Sequence, residues 1–375
     1  MNSLPSSPAG PGPTAPANAA SIAFGWNAVA VAALAQAVDA TPGEDPYGPA
    51  LGFASAAPPS GALVAALPDL GLLTVDGAEA ARFLHGQLTN DVEHLQPGVA
   101  RWGGYCSPKG RLLATFRYWR DGDGIRLAVA RPLAASVARR LAMYVLRAKA
   151  RVTDASDAHA TFGLVGRAAG DAAAAFAGAG AVDPDASASV DGVHLVGLPP
   201  APVRDDGPAQ PRWLLVVPAA RAADAWSALS AAAVPVGTAE WRATEVRTAV
   251  ARIVPGTYER FVPQMLNFES VGGVSFSKGC YPGQEVVARS QYLGKLKRRM
   301  VLVGGEGAEP APGSDVHGPA GGEPVGLVVM AAPSGAGRFV ALVETQMAAA
   351  EAGGLRAGAA ALSLHPLPYA LAAID

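Results

Sequence analysis

Cysteine is the scarcest reactive group in this chain: 375 residues contain two, Cys106 and Cys280. Two thiols do not build a disulfide framework, and a reduced intracellular protein is the simpler reading. They also fall short of the four thiolates that usually hold an iron–sulfur cluster, so any dealing with such clusters is indirect, transient or across a dimer. The six histidines are scattered, with no metal-ligand spacing among themselves or to cysteine, so no metal site is expected. The first basic residue is Arg82. Neither a secretory signal with its basic start nor an arginine-rich presequence fits. The apolar run Ala28 to Val38 reads as a short helix and falls short of the roughly 20 residues of a membrane span. A P-loop and a Gly-x-Ser-x-Gly nucleophile turn are missing too. A cytoplasmic monomer without a membrane partner is the expectation.

What is present is enough for two or three domains with a buried core. Half the residues are apolar and the formal net charge is −2, which excludes a disordered chain and a globally basic nucleic-acid binder. Residues 1–62 are rich in Ser, Pro, Gly and Ala and read as a disordered, low-complexity extension. Globular patterning begins near Leu70. LLTVDG reads as a strand and AEAARFLHGQLTNDV as a helix with Ala81, Leu84 and Leu88 on one face. YCSPKGRLLATFRYWRDGDG reads as two strands around a Pro-Lys-Gly turn, followed by the strand IRLAVA. Pro132 opens a helix in which Leu133, Val137, Leu141 and Val145 recur every fourth residue. Strands then alternate with Ala-rich helices near 171–177 and 220–231, an α+β arrangement of ferredoxin-like type. Thr238 is placed to N-cap a helix through Trp241 to about Ala249. From Lys297 onward, short apolar strands between Gly and Pro suggest a small β-barrel.

The densest chemistry lies in SKGCYPGQE, residues 277–285. Tyr281-Pro282-Gly283-Gln284 is either a type II turn, with Gly283 at positive φ, or the start of a helix with Pro282 in its first position. Both place the Cys280 sulfur near backbone N–H groups, and Lys278 and Arg289 add positive charge. Such surroundings favour a thiolate, so Cys280 is a candidate reactive thiol. Three of the chain's five lysines, Lys278, Lys295 and Lys297, fall between Ser277 and Met300, with Arg289, Arg298 and Arg299; Glu285 is the one acid there. This local positive charge implies an anionic partner. For Lys295 to Arg299 alone, a protective basic edge strand is the plainer account. Cys106 reads as inert core. Trp241 reads as a core aromatic or as a platform for a flat heteroaromatic ligand.

Lys278-Gly279-Cys280-Tyr281-Pro282-Gly283-Gln284-Glu285, with Arg289 after it, resembles the signature of the YgfZ-type folate-binding proteins, relatives of the glycine-cleavage T-protein, an aminomethyltransferase. Supporting segments are FLHGQLTND at 83–91, residues 105–124, Phe261-Val262-Pro263-Gln264, Asn267 and LHPLPY at 364–369. The resemblance covers about residues 65–375 and implies a three-domain T-protein-like ring: ferredoxin-like α/β domains and a small C-terminal barrel. The domains expected are a folate-binding core at 63–125 plus about 235–295, a ferredoxin-like unit at 126–234, and a barrel at 296–375.

The resemblance further implies a tetrahydrofolate-type ligand. It implies a role beside iron–sulfur enzymes, including tRNA-modifying ones, with tRNA as a further partner. Cys280 is the residue carried over as the working thiol. Trp241, Lys278, Tyr281, Gln284, Glu285 and Arg289 are the folate-contact candidates. A second tryptophan found in some members falls at Leu70 here. The T-protein's own reaction needs an acid where this chain has Leu113-Ala114-Thr115, and it has Asp where Cys280 stands. Neither Ala nor Thr handles a proton in that way, so glycine-cleavage turnover is not expected.

Overall fold

A computed structural model describes residues 40–53, 61–292 and 296–372. The short-helix expectation at Ala28 to Val38, and Lys295 of the basic strip, lie outside the described residues. Three sheets carry the fold. The first has five antiparallel strands in the order Ala100–Cys106, Leu112–Asp121, Gly124–Ala130, Leu70–Asp76 and Arg151–Asp154. The second has six: Ser187–Val190, Val193–Pro202, Ala209–Pro218, His159–Val165, Leu63–Ala66 and Val234–Val236, the last pair parallel. The third is a closed six-stranded barrel that begins at Arg298–Glu306 and closes through Ala360–His365. The α+β class and the C-terminal barrel are thus as the sequence predicts.

The first two sheets face each other. Leu72, Ala100, Trp119 and Ala128 of one meet Leu63, Val165, Val196, Leu214 and Val216 of the other, with Trp241 among them. This explains the near-continuous burial of Leu112–Asp121, which is covered on both faces. The outer face of the first sheet takes the Arg131–Ala142 helix, whose Leu133, Val137 and Leu141 form its buried stripe. Barrel residues Met300, Leu302 and Met330 join the same core. The helices Arg167–Ala177 and Ala222–Ser230 cover the second sheet.

Several boundaries differ from expectation. The low-complexity reading of 1–62 misses a hairpin, Ala40–Asp45 with Gly48–Phe53. Its Tyr47 is buried: the hydroxyl donates to the Ala331 carbonyl at 2.9 Å, and Arg242 lies over the ring while pairing with Asp45. Polar anchoring to the barrel and to the 238–247 helix holds this segment, together with burial of Tyr47 and Leu51 in two apolar cores.

The proposed break at 125/126 falls inside the strand Gly124–Ala130, and Arg151–Asp154 still pairs with Leu70–Asp76. The first sheet therefore runs to Asp154, and Leu63–Ala66 belongs to the second. The helix read over AEAARFLHGQLTNDV is only Ala80–His85. Beyond Gly86 the polar side chains bond elsewhere: Thr89 Oγ1 accepts the Gly104 N–H and donates to the Gly273 carbonyl, and Asn90 Nδ2 donates to the carbonyls of Trp102 and Gly272. Val145 lies past the end of its helix at Ala142. Thr238 is inside the Thr238–Arg247 helix, and Gly237 caps it. The Thr238 hydroxyl instead accepts the Leu51 N–H and donates to the Ala66 carbonyl.

Candidate functional site

The signature segment is built on a turn. The Gln284 N–H donates to the Tyr281 carbonyl at 3.2 Å, and Gly283 has φ +81°. That is the type II turn, and a helix, Gln284–Tyr292, follows it directly, two residues later than a start at Pro282. The turn docks on a second one. A Cβ on Gly283 would lie 2.4 Å from the Ser107 carbonyl oxygen and 2.6 Å from the Gly110 Cα. Only glycine allows that approach. The Pro-Lys-Gly turn closes with the Gly110 N–H donating to the Ser107 carbonyl.

Cys280 sits exposed beside this junction, while Cys106 is buried; both are free thiols. Burial pushes the Cys106 thiol up to about 12, which agrees with an inert core role. Lys278 does not reach outward. Its ammonium donates to the carbonyl oxygens of His85 at 2.5 Å and Leu88 at 2.9 Å, and lies over the Tyr281 ring. Burial lowers Lys278 to about 8, against the pull of Asp91 and Cys280. It clamps the segment and contributes charge near the thiol. Burial raises the Tyr281 hydroxyl. Gln284 is half-buried; Glu285 and Arg289 are exposed on the helix.

Farther along the basic strip, two arginines are neutralised. Arg298 pairs with Glu344 at 2.6 Å, and Arg299 with Glu269 at 2.8 Å. Their strand is not an edge, because the barrel is closed, so the protective edge-strand account fails for them.

Trp241 lies elsewhere, between the sheets. It is buried, the Arg212 guanidinium lies 4.4 Å from its ring centroid, and Gly163 packs against the ring. A flat ligand reaches this face only if Arg212 moves. No contact among the described residues joins Trp241 to Lys278, Tyr281 or Gln284, so the folate-contact candidates fall into two groups.

Beside Trp241 is a cavity of about 50 Å³ lined by Leu70, Trp102, Thr115, Arg117, Arg212 and Glu245, among others. Arg117 lies over Trp102. Burial lowers Arg212 to about 10. Arg117 Nε and Nη1 and Arg212 Nε and Nη2 are buried without a hydrogen-bond partner among the described residues. Such donors are costly unless something accepts from them. Leu70 lines the cavity, where the indole comes from Trp102 on the edge strand Ala100–Cys106, three places away in the same sheet. Arg212 and Glu245 carry no sequence signal, because only the facing of the two sheets assembles them. At 113–115 no carboxylate appears; the Thr115 hydroxyl donates to the Ala251 carbonyl and accepts the Ile253 N–H.

A further cluster escapes the sequence reading. In the loop after the Ala80–His85 helix, Asp91 gathers two histidines: His85 Nδ1 lies 3.0 Å and His94 Nδ1 2.9 Å from its carboxylate oxygens. Burial raises the Asp91 carboxyl, but the hydrogen bonds from His94 and His85 outweigh it and hold it below its ordinary range. The expectation of no metal-ligand grouping rested on spacing alone; these three side chains place ligand atoms within 4.8 Å of one another. Among the described residues, no helix is long and apolar enough to cross a membrane.

No family model matches the chain. Curated relatives do. A tRNA-modifying protein YgfZ of Cronobacter sakazakii (strain ATCC BAA-894) is 30% identical over 318 residues, covering 81% of this chain and 92% of that protein. The YgfZ of Vibrio vulnificus (strain YJ016) is 32% identical over 249 residues, covering 66% and 72%. Among solved structures, the glycine cleavage system aminomethyltransferase T of Bartonella henselae superposes with a TM-score of 0.70, covering 91% of this chain and 97% of that one at 16% identity. That likeness assigns the T-protein-like fold alone.

Proposed function

The chain belongs to the YgfZ family, and we propose that it acts in tRNA modification as a folate-binding accessory protein to iron–sulfur enzymes, with Cys280 as its working thiol. One observation carries the reading: in a protein with two cysteines, Cys280 alone is exposed, on a signature loop fixed by a glycine-to-glycine contact and the inward Lys278 clamp. Such bracing suits a thiol that must meet a partner in one orientation.

The cavity between the sheets supports a folate there. Unpartnered guanidinium donors of Arg117 and Arg212 suit the carbonyl and ring nitrogens of a pterin or the carboxylates of its tail. Trp102 offers an indole and Glu245 an acceptor. At about 50 Å³ the cavity is well below the usual ligand range of about 300–1,000 Å³. Binding therefore requires side chains to move, Arg212 first, since it stands between the cavity and Trp241. Folate, when bound, carries a one-carbon unit; the residues here bind and orient it. Thr115 in place of an acid argues against aminomethyl transfer from glycine-derived donors.

The test is complementation of a bacterial strain lacking its own YgfZ, read as methylthiolated nucleosides in tRNA. Wild type should restore them and Cys280→Ala should not. In parallel, tetrahydrofolate should quench tryptophan fluorescence saturably in wild type and weakly in Arg212→Gln. Full complementation by Cys280→Ala removes the thiol from the function, and absent quenching removes the folate.

A further inference from the structure

The loop between the Ala80–His85 helix and the first sheet holds three side chains that neither the thiol nor the cavity uses. His85, Asp91 and His94 converge, with Nδ1 to carboxylate distances of 3.0 and 2.9 Å. A zinc-like ion with bonds of about 2.0–2.1 Å in tetrahedral geometry sets its ligand atoms roughly 3.3 Å apart, close to this spacing. The rings stand edge to face, centroids 6.1 Å apart, so both nitrogens approach one point without stacking.

The backbone of this loop is pinned. The Asp91 carbonyl accepts from the Tyr118 hydroxyl at 3.0 Å and from Arg101 at 3.3 Å. The Asp91 N–H donates to Asn90 Oδ1, and the His94 N–H to Asp91 Oδ1. The His85 carbonyl is held by Lys278. The Glu93 N–H lies 3.4 Å from His85 Nδ1. Access is open: the side chains of His85, Asp91 and His94 are 14%, 24% and 73% exposed.

We propose that His85, Asp91 and His94 form a binding site for one divalent first-row transition-metal ion, of the zinc or ferrous class. Two imidazoles and one carboxylate form a ligand set that such ions take, with remaining positions open to water or another ligand. The site adjoins the thiol loop: a Cβ on Gly279, the residue before Cys280, would lie 3.7 Å from His85 Nε2. Metal on Nδ1 leaves Nε2–H of His85 directed at that loop, so occupancy and the thiol segment are mechanically linked through His85. This inference does not rest on the folate reading.

The experiment uses the full chain, stripped with chelator and titrated calorimetrically with Zn²⁺ alone, with Co²⁺ absorption as a second readout. Wild type should bind one Zn²⁺ per chain. His85→Gln and His94→Gln should each weaken binding at least tenfold, while Cys280→Ser should leave it unchanged. Because His94 is mostly exposed, His94→Gln should melt like metal-free wild type, which separates ligand loss from misfolding. Absence of saturable Zn²⁺ binding to wild type overturns the proposal. So does wild-type affinity in both histidine variants, or loss of binding only in Cys280→Ser.

Discussion

Gly283 and Gly110 meet backbone to backbone: a Cβ on Gly283 would fall 2.6 Å from the Gly110 Cα. Gly283 also has φ +81°, where an L side chain is strained. Gly283→Ala should therefore undock the thiol loop and cost about 1–3 kcal/mol. Urea unfolding measures the cost. Trypsin provides the local readout, because the buried Lys278 should become cleavable in the variant. Unchanged stability together with unchanged cleavage at Lys278 would refute the docking role.

The two thiols should react in sequence. Iodoacetamide should alkylate Cys280 in the native protein. Cys106, buried and with its thiol pushed up to about 12, should react only in denaturant. Intact-mass spectrometry counts the adducts. Two adducts under native conditions would contradict the burial of Cys106.

Arg252 and Asp69 form a buried ion pair at 2.6 Å, with Glu245 also on Arg252 at 3.2 Å. Burial opposes the Arg252 charge, but Asp69 and Glu245 outweigh it and raise its affinity for the proton. Arg252→Ala strands the Asp69 carboxylate in the interior and should cost about 3–5 kcal/mol. The double variant Arg252→Met, Asp69→Leu should recover part of that loss. Chemical denaturation of the two proteins decides it; additive losses would show that the charges do not act as a pair.

His194 supplies a pH dependence. Burial lowers it to about 4, with Asp121 opposing and Arg126 and His159 assisting. The unfolded chain then binds a proton near pH 6.5 that the folded chain refuses until about pH 4, so stability falls as pH drops through that window. The maximal loss is about 3 kcal/mol. His194→Gln should flatten the slope of unfolding free energy against pH between 6.5 and 4. An equal slope in wild type and variant would assign the acid sensitivity to other groups.

Local chemistry was legible and convergence was not. Pro282-Gly283 announces its turn because φ preferences are written in those residue types. The partner of Lys278 is invisible, because His85 lies 193 residues away. The metal-type cluster was hidden because the spacing of positions 85, 91 and 94 matches no metal-ligand pattern. Positions 85 and 91 diverge around the helix read there; the chain leaves the helix after His85, and the loop beyond it brings Asp91 and His94 to His85. Trp241 reads by default as core and alternatively as a platform, and the sequence gives no sign of the Arg212 guanidinium that covers its ring. The domain break was misplaced because strand pairing, as between Leu73 and Asp154, spans residues with no local mark of their partner.

Barrel closure also sets a schedule for synthesis. Arg298–Glu306 must wait for Ala360–His365 before its second edge is paired, and Leu302 joins His365 only once His365 has emerged from the ribosome. Nascent chains stalled before His365 would therefore expose an open apolar strand, and that interval is when a chaperone has most to protect.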